Sequence, residues 1–259
     1  GRVRLVLSTG RTGSSLLYRH LQSLPTPMTV VHEPHPSRRS YLLWNAAEAG
    51  LLPRELAHRD FLRVRDAAWR RCPADRLRIE LHNYLAPMIT ELAAQYAPLR
   101  VVHLVRHPLT WIPSIANFKA AGWRRAVIDH VPFARHVHPA AREQWAALDE
   151  YARHAWRWRR TNEAVLGLAD HCVAHARVRY EDLVSPDDDT ATAALADVLG
   201  VLCDRPGGPA AALDRSRREN ASPAGDVPDW QRWPPARREQ VLDICAPLLD
   251  TLGYGPSPP

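Results

Sequence analysis

Lysine is almost missing from this chain. Lys119 is the only one, although Lys and Arg together number 34 and outnumber the 28 acidic residues, for a formal charge of +6. A phosphotransfer loop of the G-x-x-x-x-G-K-[ST] type needs a lysine on the transferred phosphate, and Lys119 follows no such glycine pattern. The excess of positive charge fits an anionic ligand or surface. The arginines are scattered rather than clustered or interleaved with aromatics, however, which argues against a DNA or RNA partner.

Paired cysteines are also missing. Cys72, Cys172, Cys203 and Cys245 lie far apart, with no C-x-x-C and no His/Cys zinc spacing. They read as small apolar residues of a reducing compartment, so a cytoplasmic location is expected. No apolar run approaches a membrane span and no signal peptide is visible. The sequence opens almost directly on a strand, which leaves room upstream for a few residues or for a longer anchor. The preference for Arg over Lys, with abundant Ala and Pro, fits a GC-rich bacterial coding sequence. Internal repeats and a domain-dividing linker are absent, and one α/β domain spanning residues 1–259 is expected.

What is present is organised around the first twenty residues. Val3 to Leu7 is an apolar strand. It is followed by the turn Ser8-Thr9-Gly10-Arg11-Thr12-Gly13-Ser14-Ser15 and by a helical run from Leu16. Strand, glycine-rich loop and helix start together form an anion cradle. Unpaired N–H groups at a helix N-terminus and the helix dipole both favour negative charge. Gly10 and Gly13 permit positive φ and close backbone approach, and Arg11, Thr12, Ser14 and Ser15 supply donors. A strand-to-helix turn capped by Ser14, with no ligand, is the alternative.

Four more strands follow in the pattern: Met28 to His32, Leu77 to Leu81, Arg100 to Val105 and Val173 to Arg179. Helices are expected at Tyr41 to Arg71 with breaks at Gly50 and Pro53, and at Leu85 to Ala97. Further helices are expected at Leu109 to Ala121, Arg142 to Leu168, Thr190 to Leu199 and Ala236 to Leu252. The Asp60 to Trp69 stretch reads as a surface helix with a core face. Strands alternating with helices predict a parallel sheet covered on both faces, a three-layer α/β sandwich.

In such sheets ligands sit beyond the carboxyl ends of the strands, which draws attention to His32-Glu33, His82-Asn83, Arg106-His107-Pro108 and Tyr180. Glu33 has a local alternative as a cap or ion-pair partner. Arg106 ends a strand, and Ser114 lies about two turns into the following helix. Both can reach one phosphate, the arginine through bidentate charge-assisted bonds and the serine as a neutral donor. His130, His136 and His138 match no metal-site spacing and read as a loop or substrate lid.

Three separated stretches now resemble one family, the sulfotransferases that use 3′-phosphoadenosine 5′-phosphosulfate (PAPS). Thr9 to Leu16 resembles the family's 5′-phosphosulfate loop in its arginine form. Val105-Arg106-His107-Pro108 with Ser114 resembles its 3′-phosphate motif. Val178-Arg179-Tyr180-Glu181-Asp182-Leu183 resembles its strand-end signature, and Gly253-Tyr254 its usual ending.

The resemblance implies a P-loop NTPase-like sulfotransferase fold, PAPS as donor, 3′-phosphoadenosine 5′-phosphate (PAP) as product and no metal. It implies a small-molecule, glycan or natural-product acceptor. Gly10, Arg11, Thr12, Gly13, Ser14 and Ser15 would hold the 5′-phosphosulfate, with Arg11 also catalytic. Arg106 and Ser114 would hold the 3′-phosphate, Tyr180 would lie near the adenine, and Arg217 and Arg218, ahead of Gly225, would add charge. Two residues stand where family members carry a general base, Glu33 and His82, and the sequence leaves both open. Leu16 departs from the aromatic residue of cytosolic members.

Overall fold

A computed structural model of the chain describes residues 3–34, 37–73, 76–118, 137–203, 213 and 227–255. Five strands, β1 (Arg4–Ser8), β2 (Met28–His32), β3 (Leu77–His82), β4 (Leu99–Val105) and β5 (Cys172–Arg179), form one sheet in the order β2-β3-β1-β4-β5. Every neighbouring pair is parallel. β1 is central: Leu7 registers against His82 of β3 on one side and His103 of β4 on the other.

Side-chain alternation along β1 explains why the sheet needs cover on both faces. Val6 packs with Leu17 and Leu21 of α1 (Ser14–Ser23) and with Leu195 and Val198 of α8 (Asp188–Cys203). Leu5 and Leu7 point the other way. They meet Trp44 of α2 (Ser37–Glu48), Phe61 of α3 (Arg54–Arg70), Leu92 of α4 (Ile89–Tyr96) and Val165 of α6 (Glu150–Leu166). A third apolar cluster joins α6 to α5 (Pro108–Ala116) and α9 (Pro235–Leu249) through Trp111, Trp158, Trp233 and Cys245. The short α7 (Tyr180–Leu183) follows β5 directly. The result is the three-layer α/β sandwich.

Several element limits differ from the sequence expectation, each for a local reason. α1 starts at Ser14 rather than Leu16, with Gly13 in the left-handed region as its N-cap. The helix expected from Arg142 starts at Glu150, because the Asp149 carboxylate accepts the Ala152 N–H and caps it there. Residues Ala86–Met88 form a 3₁₀ turn containing Pro87, and the regular helix begins after it at Ile89. All four cysteines are free thiols. Most of the histidine-bearing segment, residues 119–136, lies outside the described residues, and His138 there pairs with Glu163.

The topology selects a location for chemistry. From β1 the chain leaves toward β2, whereas from β4 it leaves toward β5, in the opposite direction. The crevice outside the carboxyl ends of β1 and β4 is therefore the switch point where open parallel sheets bind ligands.

Candidate functional site

The loop after β1 is shaped by its backbone. Gly10, Arg11 and Gly13 have φ of 75°, 57° and 83°, and the Ser8 hydroxyl accepts the Gly10 N–H at 3.1 Å. A Cβ on Gly10 would stand 2.9 Å from Asn83 Nδ2, and one on Gly13 would stand 3.0 Å from Tyr180 Cδ2. The loop is thus gripped between the end of β3 and α7, so hydrogen is the side chain that fits at both positions. No described side chain caps α1 at Gly13, and its first turn holds no acidic residue. The first-turn N–H groups and the positive end of the helix dipole suit an anion. Ser14 and Ser15 are half-buried in that turn, while Thr12 is fully buried with no partner for its Oγ1 among the described residues.

Cationic groups converge on the loop from separate elements. Arg106, just past β4, donates from Nη1 to the Arg11 carbonyl and from Nε to Thr110 Oγ1, both at 3.1 Å. Its guanidinium lies 4.5 Å from the centre of the Tyr180 ring. Arg11 donates from Nε to Ser114 Oγ of α5 at 3.2 Å and lies 4.2 Å from the centre of the Phe118 ring. Arg11, Arg106, Ser114 and Tyr180 are therefore brought together. Burial lowers the pKa of both guanidiniums, and the field of Arg106 lowers that of Arg11 further. Two partly desolvated positive charges side by side favour an incoming polyanion.

Supporting groups that sequence reasoning missed explain how the loop is held. The indole of Trp111 donates to the Gly10 carbonyl at 2.7 Å, and that of Trp158 donates to the Arg106 carbonyl at 2.8 Å. Glu181 accepts the His107 N–H at 3.0 Å and the Tyr254 hydroxyl at 2.9 Å, tying the strand end that carries Arg106 to the C-terminal segment. Glu181, His107 and Tyr254 fall within stretches that the sequence singled out, whereas nothing there pointed to Trp111 or Trp158 as donors to the loop.

Glu33 and His82 occupy contrasting places. Glu33 follows β2 with φ of 45°, half-buried, and its N–H continues the sheet by donating to the Leu81 carbonyl at 2.9 Å. With Arg11 it is one of the two non-glycine residues of positive φ among the described residues. Such backbone strain concentrates at functional positions. His82 is buried in the wall of the sheet, with Nε2 at 2.9 Å from Glu80 Oε2 and 3.2 Å from Arg65 Nη1. Arg65 and Arg78 both pair with the Glu80 carboxylate. Burial alone would push the Glu80 carboxyl up. The hydrogen bond from His82 and the two guanidiniums outweigh it and hold Glu80 well below the usual carboxylate range. Burial pushes His82 down, partly opposed by its hydrogen bond with the Glu80 carboxylate.

Arg217 and Arg218 lie outside the described residues. Among the described residues no group of three His, Cys, Asp or Glu side chains is placed to hold a metal, and no helix is long and apolar enough to cross a membrane.

No protein-family profile and no curated protein matches the sequence. Solved structures do match. The sulfotransferase domain of the olefin synthase of Synechococcus PCC 7002 is 20% identical, with 98% of this chain and 95% of that one covered and a TM-score of 0.50. A sulfotransferase from Alicyclobacillus acidocaldarius is 12% identical, with 98% and 97% covered and a TM-score of 0.52. The chain, over nearly its whole length, has the sulfotransferase fold.

Proposed function

We propose that this protein is a PAPS-dependent sulfotransferase that moves a sulfuryl group to a hydroxyl or amine of a small-molecule, glycan or natural-product acceptor. The observation that carries the reading is the pairing of Arg11 with Arg106 at the switch point, over a helix N-terminus that has no side-chain cap. A nucleotide with anionic groups at both its 5′ and 3′ positions matches two cationic centres better than a nucleotide charged at one end.

The residues fit such a donor. Gly10 and Gly13 let the loop pack closely against Asn83 and Tyr180, and the buried Thr12 Oγ1 has a hydrogen to give. Bound PAPS would supply the sulfuryl group and PAP as the leaving group. Arg11, Ser14, Ser15 and the first amides of α1 hold the 5′ end and stabilise the charge that develops on the bridging oxygen. Arg106 and Ser114 grip the 3′-phosphate, the feature that separates this donor from ATP. Tyr180 is the flat surface beneath Arg106.

Glu33 is the better base of the two candidates. Its carboxyl sits on a half-buried residue just past the carboxyl end of β2, the end of the sheet at which the β1 loop also lies. His82 has its Nε2 engaged by Glu80 and its Nδ1 buried, so it holds the wall rather than meeting an acceptor. In this reading Glu33 takes the acceptor's proton as the new bond to sulfur forms, and correct positioning supplies much of the acceleration.

The test is turnover of PAPS with a panel of phenols, alcohols, sugars and amines, following PAP release and the sulfated product. Product formation that Glu33→Gln lowers by roughly 10²–10⁴-fold, with PAP binding retained, supports the reading. Binding of PAP with no product from any acceptor would favour a non-catalytic nucleotide-binding module instead. Turnover of ATP with Mg²⁺ and none of PAPS would overturn the donor assignment.

A further inference from the structure

We propose that His32 is a positioning residue for the donor, setting the direction in which the Ser14 hydroxyl presents its hydrogen. The inference rests on the donor reading above, in which Ser14 meets the 5′ end of the nucleotide.

Ser14 is the first residue of α1, and its Oγ lies 3.1 Å from His32 Nε2. His32 is held there by two independent constraints. It is the last residue of β2, registered against Leu81 of β3. Its ring also packs against Tyr18, one turn beyond Ser14 on the same helix, with the centroids 5.5 Å apart. Burial lowers the tendency of His32 to charge, so near neutral pH the ring carries one N–H and one bare nitrogen.

A hydroxyl has one hydrogen and two lone pairs, which leaves two arrangements. With Nε2 bare, the imidazole takes the Ser14 hydrogen and turns the oxygen's lone pairs toward an incoming anion, an unfavourable contact. When Nε2 instead carries the hydrogen, it donates to Ser14 Oγ and leaves the Ser14 hydrogen free for the anion. An anion at the first turn of α1 selects the second arrangement, and His32 then acts on the donor only through Ser14. Glu33 follows His32 in the chain, and a charge on His32 would lower the pKa of His82 on β3.

Calorimetric PAP binding across a double-mutant cycle tests this, with thermal melting to confirm that each variant is folded. His32→Leu should weaken PAP binding by about 5–10-fold, the size of one polar hydrogen bond. His32→Gln should stay within about threefold of wild type, because its amide can donate from nearly the same place. In a Ser14→Ala background, His32→Leu should cost less than about twofold, since the group it orients is gone. Equal losses in both backgrounds would mean that His32 merely packs, and no loss in either would mean that it does nothing for the donor. Both results overturn the inference while leaving the donor reading intact. Wild-type protein that fails to prefer PAP over ADP would overturn the donor reading and the His32 assignment together.

Discussion

Replacing Gly13 with alanine separates the shape of the loop from its function. The residue sits at φ 83°, where a non-glycine residue costs about 1–2 kcal/mol. For a chain of this size that amounts to a fall in melting temperature of roughly 2–8 °C. Gly50 supplies the control. It has φ of 75°, but a Cβ there meets nothing within 4 Å, so Gly50→Ala carries the same backbone penalty without a clash. At Gly13 the new methyl meets the Tyr180 ring at 3.0 Å. That ring lies under the Arg106 guanidinium, and disturbing a cation–π contact of about 0.5–2 kcal/mol weakens the anion grip by roughly 2–30-fold. Melting curves and calorimetric titration with PAP read the two effects separately. Both variants should melt lower, Gly13→Ala by at least as much as Gly50→Ala, and only Gly13→Ala should lose affinity. Equal PAP affinity in the two variants would refute the claim that Tyr180 and Gly13 jointly shape the site.

Other consequences follow from the buried charges and from the choice of base. Glu33→Gln should lower transfer by roughly 10²–10⁴-fold at unchanged PAP affinity, whereas His82→Asn should act chiefly on stability. A steady-state assay run alongside melting curves distinguishes them, and full activity in Glu33→Gln would remove the carboxylate from the mechanism. Glu80→Gln leaves Arg65 and Arg78 without their carboxylate. It should cost about 3–5 kcal/mol by denaturant unfolding, against about 0–1 kcal/mol for breaking the exposed Arg54–Glu91 pair. His103 is pushed down to about 3 by burial, partly opposed by its hydrogen bond with Asn162. The unfolded chain takes up that proton near pH 6.5, so the stability His103 contributes is full above about 6.5 and drains away as pH falls toward 3. His103→Gln should flatten melting temperature against pH across that window, and an unchanged slope would assign the acid sensitivity elsewhere.

β1 and β4 were legible because central parallel strands buried on both faces are short apolar runs, and each of the five strands begins within a residue of its expected place. β2 (Met28–His32) and the loop from Ser8 to Ser15 needed nothing beyond local pattern. The order β2-β3-β1-β4-β5 was not legible, since it depends on pairing between segments far apart in the chain. The same limit hid the fate of His82. Its place at a strand end could be read, but its burial depends on Arg65 of α3, which reads as one of several surface arginines. Arg65 in fact continues the buried stripe of Ala57 and Phe61 at four-residue spacing, a signal that the periodicity held. The spacing directed Ser114 toward the anion site of Arg106, whereas its hydrogen bond with Arg11 was not legible, because those two are joined only by the fold.

The most direct measurement is calorimetric titration of the protein with PAP, ADP and ATP in the absence of Mg²⁺, repeated on Arg106→Ala. PAP should bind at least tenfold more tightly than ADP. Removing Arg106 should weaken PAP by roughly 10–100-fold, the range of a charge-assisted contact, and leave ADP nearly unchanged. Indifference to the 3′-phosphate, or equal loss of both ligands in Arg106→Ala, would contradict the assignment of Arg106 and with it the sulfuryl-donor reading.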